Sequence, residues 1–245
     1  MSVTDERSPQ DARFRTTRWS LVQAAGDLQQ HDSREALGEL CRGYWFPVYA
    51  YFRRRTGDAV EAQDLTQEFF ATVLEKNYLS DARQDRGRFR TFLLTAAQRF
   101  LSKEWAKSNT LKRGGGKHIL SLDFSTGESL YAIEPVDNET PERTFARRWT
   151  LNLLDIVQQR LCEEYTASGK QQTYDLLKPQ LVSAGSTESY EQVAAQLGSS
   201  VGAVKTAVYR MRCRYRELLR TEIAETVADP AAIDDEIKQL FASLG

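Results

Sequence analysis

The residues that could carry chemistry in this chain are charged and aromatic rather than catalytic. Only two histidines are present, His31 and His118, which excludes a histidine-rich metal site, and neither stands in a local signature of a Ser-His-Asp triad. Residues 114–117 (GGGK) are similar to part of a phosphate-binding loop, but Leu111 and His118 stand where that loop needs Gly and Ser or Thr. The sequence therefore predicts no enzymatic activity, no cofactor and no metal.

Three carboxylates are spaced for one helix face in residues 58–70, DAVEAQDLTQEFF. Glu61, Asp64 and Glu68 stand at i, i+3 and i+7, and no histidine accompanies them, which argues against a di-metal site. Like charges on one face are mildly unfavourable unless a partner neutralises them. The functional interpretation is a surface for a basic partner, and the structural alternative is a solvated helix face.

Cations alternate with aromatic residues between Gly87 and Lys107. This composition is typical of proteins that hold a single nucleic-acid strand by charge while its bases stack on exposed rings. We expect Phe89, Phe92 and Phe100 to lie in the core. Trp105, among Lys103 and Lys107 near the end of the predicted helix, is expected to be exposed.

The sharpest local pattern spans residues 189–205, SYEQVAAQLGSSVGAVK. Gly198 can take the left-handed conformation that ends a helix, Ser199 or Ser200 can cap the next helix, and small Ala194 lets the two helices cross closely. This predicts a helix-turn-helix whose second helix enters the DNA major groove; the alternative is an αα-hairpin with an accidental basic face. The predicted seam is Val193, Leu197, Val201, Val204 and Val208, and the outward residues suited to bases and phosphates are Lys205, Thr206, Tyr209, Arg210, Arg212 and Arg214.

Charge is strongly segregated along the 245 residues, although 33 Lys and Arg nearly balance 34 Asp and Glu. Residues 205–220 carry a net charge of +5, residues 76–117 carry +8, and residues 221–245 carry −5. Two separate basic blocks suggest two contact points on a polyanion, with solvated helix faces as the alternative.

Composition narrows the class of protein. An apolar fraction of 41% with 27% charged residues is ordinary for a globular protein. No apolar run is long enough to span a membrane, and the amino terminus lacks the apolar core of a secretory signal. The three cysteines, Cys41, Cys162 and Cys213, are scattered and unpaired in spacing, which indicates reduced thiols in a cytoplasmic protein.

Hydrophobic periodicity predicts an all-α fold of two helical domains joined by a flexible linker. Helical spacing holds from residue 16 to residue 107 and returns at residue 143, whereas the stretch between them is rich in Gly and Pro. Residues 119–124 are compatible with a short strand. The predicted organisation is a disordered tail over 1–13, a first domain over 14–107, a linker over 108–142, a second domain over 143–225, and an extension over 226–245 with a short helix near 231–244.

With these residues in view, the chain resembles an extracytoplasmic-function (ECF) sigma factor, one of the small bacterial subunits that direct RNA polymerase to promoters. The resemblance covers roughly residues 16–225 and is most specific at 64–70 and 190–219. The stretches KRGGG at 112–116, PER at 141–143 and RRW at 147–149 further resemble a subgroup found in planctomycetes and related bacteria.

The resemblance implies a role for each block. The first domain would bind the coiled coil of the polymerase clamp and melt the −10 element, the linker would thread toward the active-site channel, and the second domain would meet the polymerase flap and the −35 element. The residues implied at the clamp are Asp64, Gln67, Glu68 and Glu61. Those implied at the −10 element are Arg88, Arg90, Arg99, Lys103, Trp105 and Lys107. Those implied at the −35 element are Ser200, Lys205, Thr206, Tyr209, Arg210, Arg212 and Arg214.

Two other classes compete with this interpretation. A helix-turn-helix regulator would bind DNA without the polymerase clamp, and a nucleic-acid enzyme would need a catalytic cluster that the sequence lacks. Regulation by an anti-sigma factor or a Ser/Thr kinase is a further hypothesis. Gln63 stands where relatives often carry Glu, so phosphorylation of Thr66 would restore negative charge toward the clamp.

Overall fold

The computed structural model describes residues 33–75, 88–108, 122–132, 139–182 and 189–245. Every regular element within these ranges is a helix, which confirms the all-α class. The chain divides into two compact units. The first runs to Asn152 and also includes Ile223–Gly245, and the second is Leu153–Glu222.

Ten α-helices are assigned in the described ranges. The first five are α1 (Ser33–Thr56), α2 (Ala59–Glu75), α3 (Phe89–Ser108), α4 (Phe124–Ala132) and α5 (Pro141–Ala167). The others are α6 (Gln171–Leu177), α7 (Pro179–Val182), α8 (Tyr190–Gln196), α9 (Val201–Ala224) and α10 (Ile233–Ala242), and a 3₁₀ turn (Pro230–Ala232) precedes α10.

Aromatic rings from α1, α2 and α3 fill the core of the first unit. The rings of Phe52, Phe69 and Phe100 contact one another, with centroids 5.6–6.1 Å apart. Burying each such ring stabilises the fold by about 1.5–3 kcal/mol. The expected core positions Phe89 and Phe100 are buried, whereas Phe92 is half-buried.

The stretch predicted as a linker, residues 108–142, contains α4, a helix that was not predicted from the sequence. Asp123 begins this helix, because its carboxylate accepts hydrogen bonds from the backbone N–H and the hydroxyl of Thr126. The strand suggested at 119–124 is wrong over its described part, since Phe124 is helical. Helix α4 belongs to the first unit, and the boundary to the second unit lies after Asn152 rather than in the predicted linker.

Helix α4 packs on α1 through a polar and an aromatic contact. Tyr49 donates its hydroxyl hydrogen to Glu128, and Arg53 donates to the same carboxylate at 3.1–3.3 Å. Burial raises the pKa of Glu128, but the hydrogen bonds from Arg53 and Tyr49 outweigh it and hold that pKa below its ordinary value. The rings of Trp45 and Phe124 meet edge to face at 5.2 Å.

The second unit has its own apolar core. The seam predicted for the helix-turn-helix is buried at Val193, Val204 and Val208, while Leu197 and Val201 are half-buried. Further buried side chains of this unit come from α5, α6 and α9, namely Leu153, Val157, Leu161, Tyr174, Leu177 and Met211. Arg160 and Glu222 form an ion pair within the same unit.

The carboxyl-terminal extension contains the expected short helix and belongs to the first unit. Asp229 caps the 3₁₀ turn by accepting from the N–H of Ala231 at 2.9 Å, and Pro230 supplies the first helical position. The predicted tail over 1–13, the beginning of the predicted first domain up to residue 32 and the glycine run at 114–116 lie outside the described residues.

Candidate nucleic-acid interface

The acidic face predicted on residues 58–70 lies on α2. Asp58 accepts a hydrogen bond from the N–H of Glu61 at 2.8 Å, which fixes the start of the helix. Asp64 and Glu68 are exposed and Glu61 is half-exposed. Val60, four residues before Asp64, is also exposed, at 66%. We call Val60, Glu61, Asp64 and Glu68 the acidic face; it combines negative charge with an apolar side chain that a partner could cover.

Two predictions on the same helix are corrected. Gln67 is only 8% exposed, so it does not belong to the solvent-facing polar surface on which it was expected. Thr66 is fully buried, and its hydroxyl donates to the carbonyl oxygen of Ala62 at 2.7 Å. A kinase cannot reach that hydroxyl in the folded unit, so the hypothesis of phosphorylation at Thr66 is wrong.

Helix α3 presents cations and one aromatic ring to solvent. Arg99, Lys103 and Lys107 are exposed, and Lys107 also pairs with Glu104 at 2.6 Å. Trp105 is 38% exposed, as expected, and the guanidinium of Arg55 lies 5.1 Å from the centre of its ring. We call Arg55, Arg99, Lys103, Trp105 and Lys107 the basic-aromatic surface.

Arg88 and Arg90, predicted at the same interface, are engaged inside the first unit. Both form ion pairs with Glu236 of α10, at 2.7 Å for Arg88 and 2.5 Å for Arg90. Their side chains are 24% and 16% exposed. The structure thus separates these two arginines from the exposed cations farther along α3.

The geometry at residues 189–224 matches the predicted helix, turn and helix. Gly198 has φ of +59°, the left-handed conformation expected at the end of α8. Of the two candidate caps for α9, Ser200 accepts from the N–H of Ala203 at 3.2 Å. Ser189 forms a capping box with Gln192, at 3.3 Å and 2.9 Å. The S-x-x-Q spacing at 189–192 could have predicted that box.

The outward residues of α9 fall into two groups. Lys205, Thr206, Tyr209 and Arg210 are exposed, Tyr209 at 67%. The ammonium group of Lys205 lies 5.9 Å from the centre of the Tyr190 ring. We call Ser200, Lys205, Thr206, Tyr209 and Arg210 the recognition face.

Arg212 and Arg214, predicted to face DNA, make contacts within the second unit. Arg212 donates twice to the carbonyl oxygen of Gln180, at 3.1 and 2.5 Å. Arg214 pairs with Glu164 at 2.6 Å and with Glu217 at 2.9 Å. Their side chains hold α9 to neighbouring helices, and we do not include them in the recognition face.

Sequence reasoning missed Arg55 of the basic-aromatic surface and Glu236, the buried partner of Arg88 and Arg90. Arg55 was given no role, although the run RRR at 53–55 places cations before the aromatic-basic segment. Glu236 was counted only within an acidic extension. No local pattern could have indicated its partners, since they lie more than a hundred residues earlier in the chain.

Residues 46–110 match the family described as Sigma-70 region 2. The matched segment covers the carboxyl-terminal part of α1 from residue 46 and all of α2 and α3, including the acidic face and the basic-aromatic surface. The match supports a sigma factor of the sigma-70 family, with a role in promoter recognition by RNA polymerase. No curated protein matches the chain, and no solved structure does. Across the ranges that the structure describes, no helix is long and apolar enough to cross a membrane.

Proposed function

We propose that this protein is an ECF sigma factor that brings RNA polymerase core to promoters and has no catalytic activity of its own. The observation that carries the proposal is the position of the region 2 match. It falls on the helices that display the acidic face and the basic-aromatic surface. Such a protein needs one surface for polymerase and another for DNA.

The acidic face is the proposed contact with the polymerase clamp. Asp64 and Glu68 are exposed one helical turn apart, and Val60 adds an apolar side chain beside them. A basic coiled coil would neutralise the repulsion between the two carboxylates and cover the valine. Gln67, being buried, plays at most an indirect part in this contact.

The basic-aromatic surface is the proposed contact with the −10 element. Arg99, Lys103 and Lys107 supply positive charge for phosphates, and the exposed ring of Trp105 supplies a stacking platform for an unpaired base. Arg55 against that ring orients it and adds charge.

The recognition face is the proposed reader of the −35 element. The amino-terminal half of α9 carries exposed donors suited to base edges and phosphates, and the turn that positions it is fixed by Gly198 and Ser200. The polymerase flap is the proposed partner of this unit, and the membership in the planctomycete-type subgroup is part of the same proposal.

Binding to core polymerase tests the function against its alternative, a helix-turn-helix regulator that ignores polymerase. We expect Asp64→Asn with Glu68→Gln to weaken binding to core at least about tenfold, a loss of about 1.4 kcal/mol. The matched control is Glu163→Gln with Asp175→Asn, which removes the same charges from exposed positions in the second unit. The proposal fails if the wild-type protein does not bind core, or if both double variants bind it as the wild type does.

A further inference from the structure

The carboxyl-terminal helix α10 places one buried carboxylate against the two arginines at the start of α3. Glu236 is 1% exposed. Its oxygens lie 2.7 Å from Nε of Arg88, and 2.5 and 3.0 Å from Nε and Nη2 of Arg90. A buried carboxylate is costly unless paired, so Glu236 and the two guanidinium groups depend on one another.

Gln239, one helical turn later, reinforces this contact. Its side-chain oxygen accepts from Arg90 Nη2 at 3.1 Å and also from Arg88. Between the two arginines, the backbone N–H of Phe89 donates to the carbonyl oxygen of Thr226 at 3.3 Å. The extension therefore engages three consecutive residues at the beginning of α3.

The extension is also held at its far end. Ser243 and Thr150 share a hydrogen bond of 2.9 Å, and Leu240 and Val227 are buried. These contacts position α10 independently of the arginines. Breaking the charged contact can therefore release Arg88 and Arg90 without removing the whole extension from the first unit.

The guanidinium fork that binds a carboxylate also binds a phosphate, and one fork cannot satisfy both at once. We infer that the extension over 226–245 is an intramolecular competitor of DNA, in which Glu236 and Gln239 occupy Arg88 and Arg90 in place of a phosphate. The inference rests on the proposed function, because it requires α3 to bind nucleic acid, and it adds Arg88 and Arg90 to that contact once they are released from Glu236. The apparent DNA affinity of the full chain then equals its intrinsic affinity multiplied by the fraction of molecules in which Arg88 and Arg90 are free of Glu236 and Gln239.

Two substitutions should move DNA affinity in opposite directions. Glu236→Gln removes the competing charge, and we expect it to tighten binding to a short single-stranded DNA of mixed sequence by about tenfold at low salt. Gln239→Glu adds a second carboxylate beside Arg88 and Arg90, and we expect it to weaken that binding several-fold. Fluorescence anisotropy with the full-length protein measures both changes, and thermal unfolding shows that each variant is folded.

Matched controls remove the effect of overall charge. Asp235→Asn changes the charge as Glu236→Gln does, on the same helix but at an exposed side chain, and Gln172→Glu matches Gln239→Glu at an exposed position of α6. Both controls should leave affinity within about twofold of the wild type. In the Glu236→Gln background, Arg88→Gln with Arg90→Gln should abolish the gain.

A purely structural role for the contact predicts a different pattern. Both variants would then lower thermal stability without opposite effects on DNA affinity, and this would overturn the inference while leaving the proposed function intact. If neither the wild type nor Glu236→Gln binds DNA, with or without core polymerase, the proposed function and the inference fail together.

Discussion

Arg214 of α9 and Glu164 of α5 form a two-pronged ion pair in which Nε and Nη2 lie 2.8 and 2.6 Å from the two carboxylate oxygens. This contact explains why Arg214, although it lies on α9, does not extend the recognition face. Its planar donors are directed to a neighbouring helix of the same unit. The pair also makes the stability of the second unit sensitive to acid.

The contribution of the Arg214–Glu164 pair should depend on pH. Hydrogen bonds from Arg214 hold the pKa of Glu164 below its ordinary value of 4.5. Because the folded-state pKa is lowered, the stabilisation is fully present above pH 4.5 and is lost as the pH falls through the folded-state value. We expect Glu164→Gln to lower the free energy of unfolding by about 0.5–1 kcal/mol at neutral pH, a typical value for a well-aligned exposed pair. Urea unfolding of the wild type and of Glu164→Gln, measured from neutral pH to below pH 4.5, gives the two free energies of unfolding. The difference between them should shrink as the pH falls.

Glu163→Gln is the control for that experiment, because Glu163 is exposed on the same helix and pairs with no arginine among the contacts described. Its effect should be small and nearly independent of pH. A deficit of Glu164→Gln that persists unchanged in acid would contradict the assigned role of the ion pair.

Close packing of α4 on α1 gives the second prediction. A Cβ atom at buried Gly127 would lie 2.6 Å from Cη2 of Trp45, whose ring is itself packed against Phe46 and Phe124. We expect Gly127→Ala to lower the free energy of unfolding by about 1–3 kcal/mol, because the Trp45 ring must shift and disturb its contacts with Phe46 and Phe124. Denaturant unfolding followed by circular dichroism measures the change.

Gly43→Ala in α1 is the matched control, because nothing lies within 4 Å of a Cβ atom there. The same substitution at this helical position should stabilise the protein by about 0.5–1 kcal/mol through backbone entropy alone. Equal stabilities of the two variants would show that α4 does not pack against Trp45 as described.

The elements that could be predicted from sequence are those whose signal is local. The positions of Phe89 and Phe100 in the core of the first unit were predicted from their helical spacing, and the start of α9 followed from Gly198 and Ser200. Helix α4 was missed because Ser125, Thr126 and Gly127 have poor helix propensity, and its stability comes from contacts with α1.

The exposure of the candidate surface residues could be predicted only where burial along a helix follows the helical period. Asp64 and Glu68 are exposed as their spacing indicated, but Gln67 lies outside the apolar stripe of α2 and is nevertheless buried. Spacing along one helix cannot show which polar positions another segment covers. The same limit applies to Arg88, Arg90, Arg212 and Arg214. Their positive charge suggested contacts with phosphate, but each has a partner on another helix that local spacing does not indicate.

Trp105 gives the third prediction. If its exposed ring stacks on an unpaired base, Trp105→Ala should weaken binding of single-stranded DNA by about 1–3 kcal/mol, whereas Trp105→Phe should retain most of the affinity. Arg55→Gln should produce a smaller loss, because it removes one charge and the contact that orients the ring. Anisotropy titrations of the full chain with labelled single-stranded DNA measure all three. Equal losses for the Ala and Phe variants would exclude stacking by this ring.

The recognition face gives the last prediction, which separates base reading from structural support on one helix. Arg210 is exposed on the recognition face, whereas Arg214 is held by Glu164 and Glu217. If Arg210 contacts a guanine edge, Arg210→Ala should cost about 1–3 kcal/mol of binding to the upstream promoter element and should relax the preference at one base pair. Arg214→Ala, which has the same change in charge, should lower the stability of the second unit and leave base preference unchanged. Binding of the polymerase complex to single-base variants of that element measures the affinity and the base preference, and urea unfolding measures the stability. If Arg210→Ala and Arg214→Ala had identical binding profiles across these DNA variants, Arg210 would read no base.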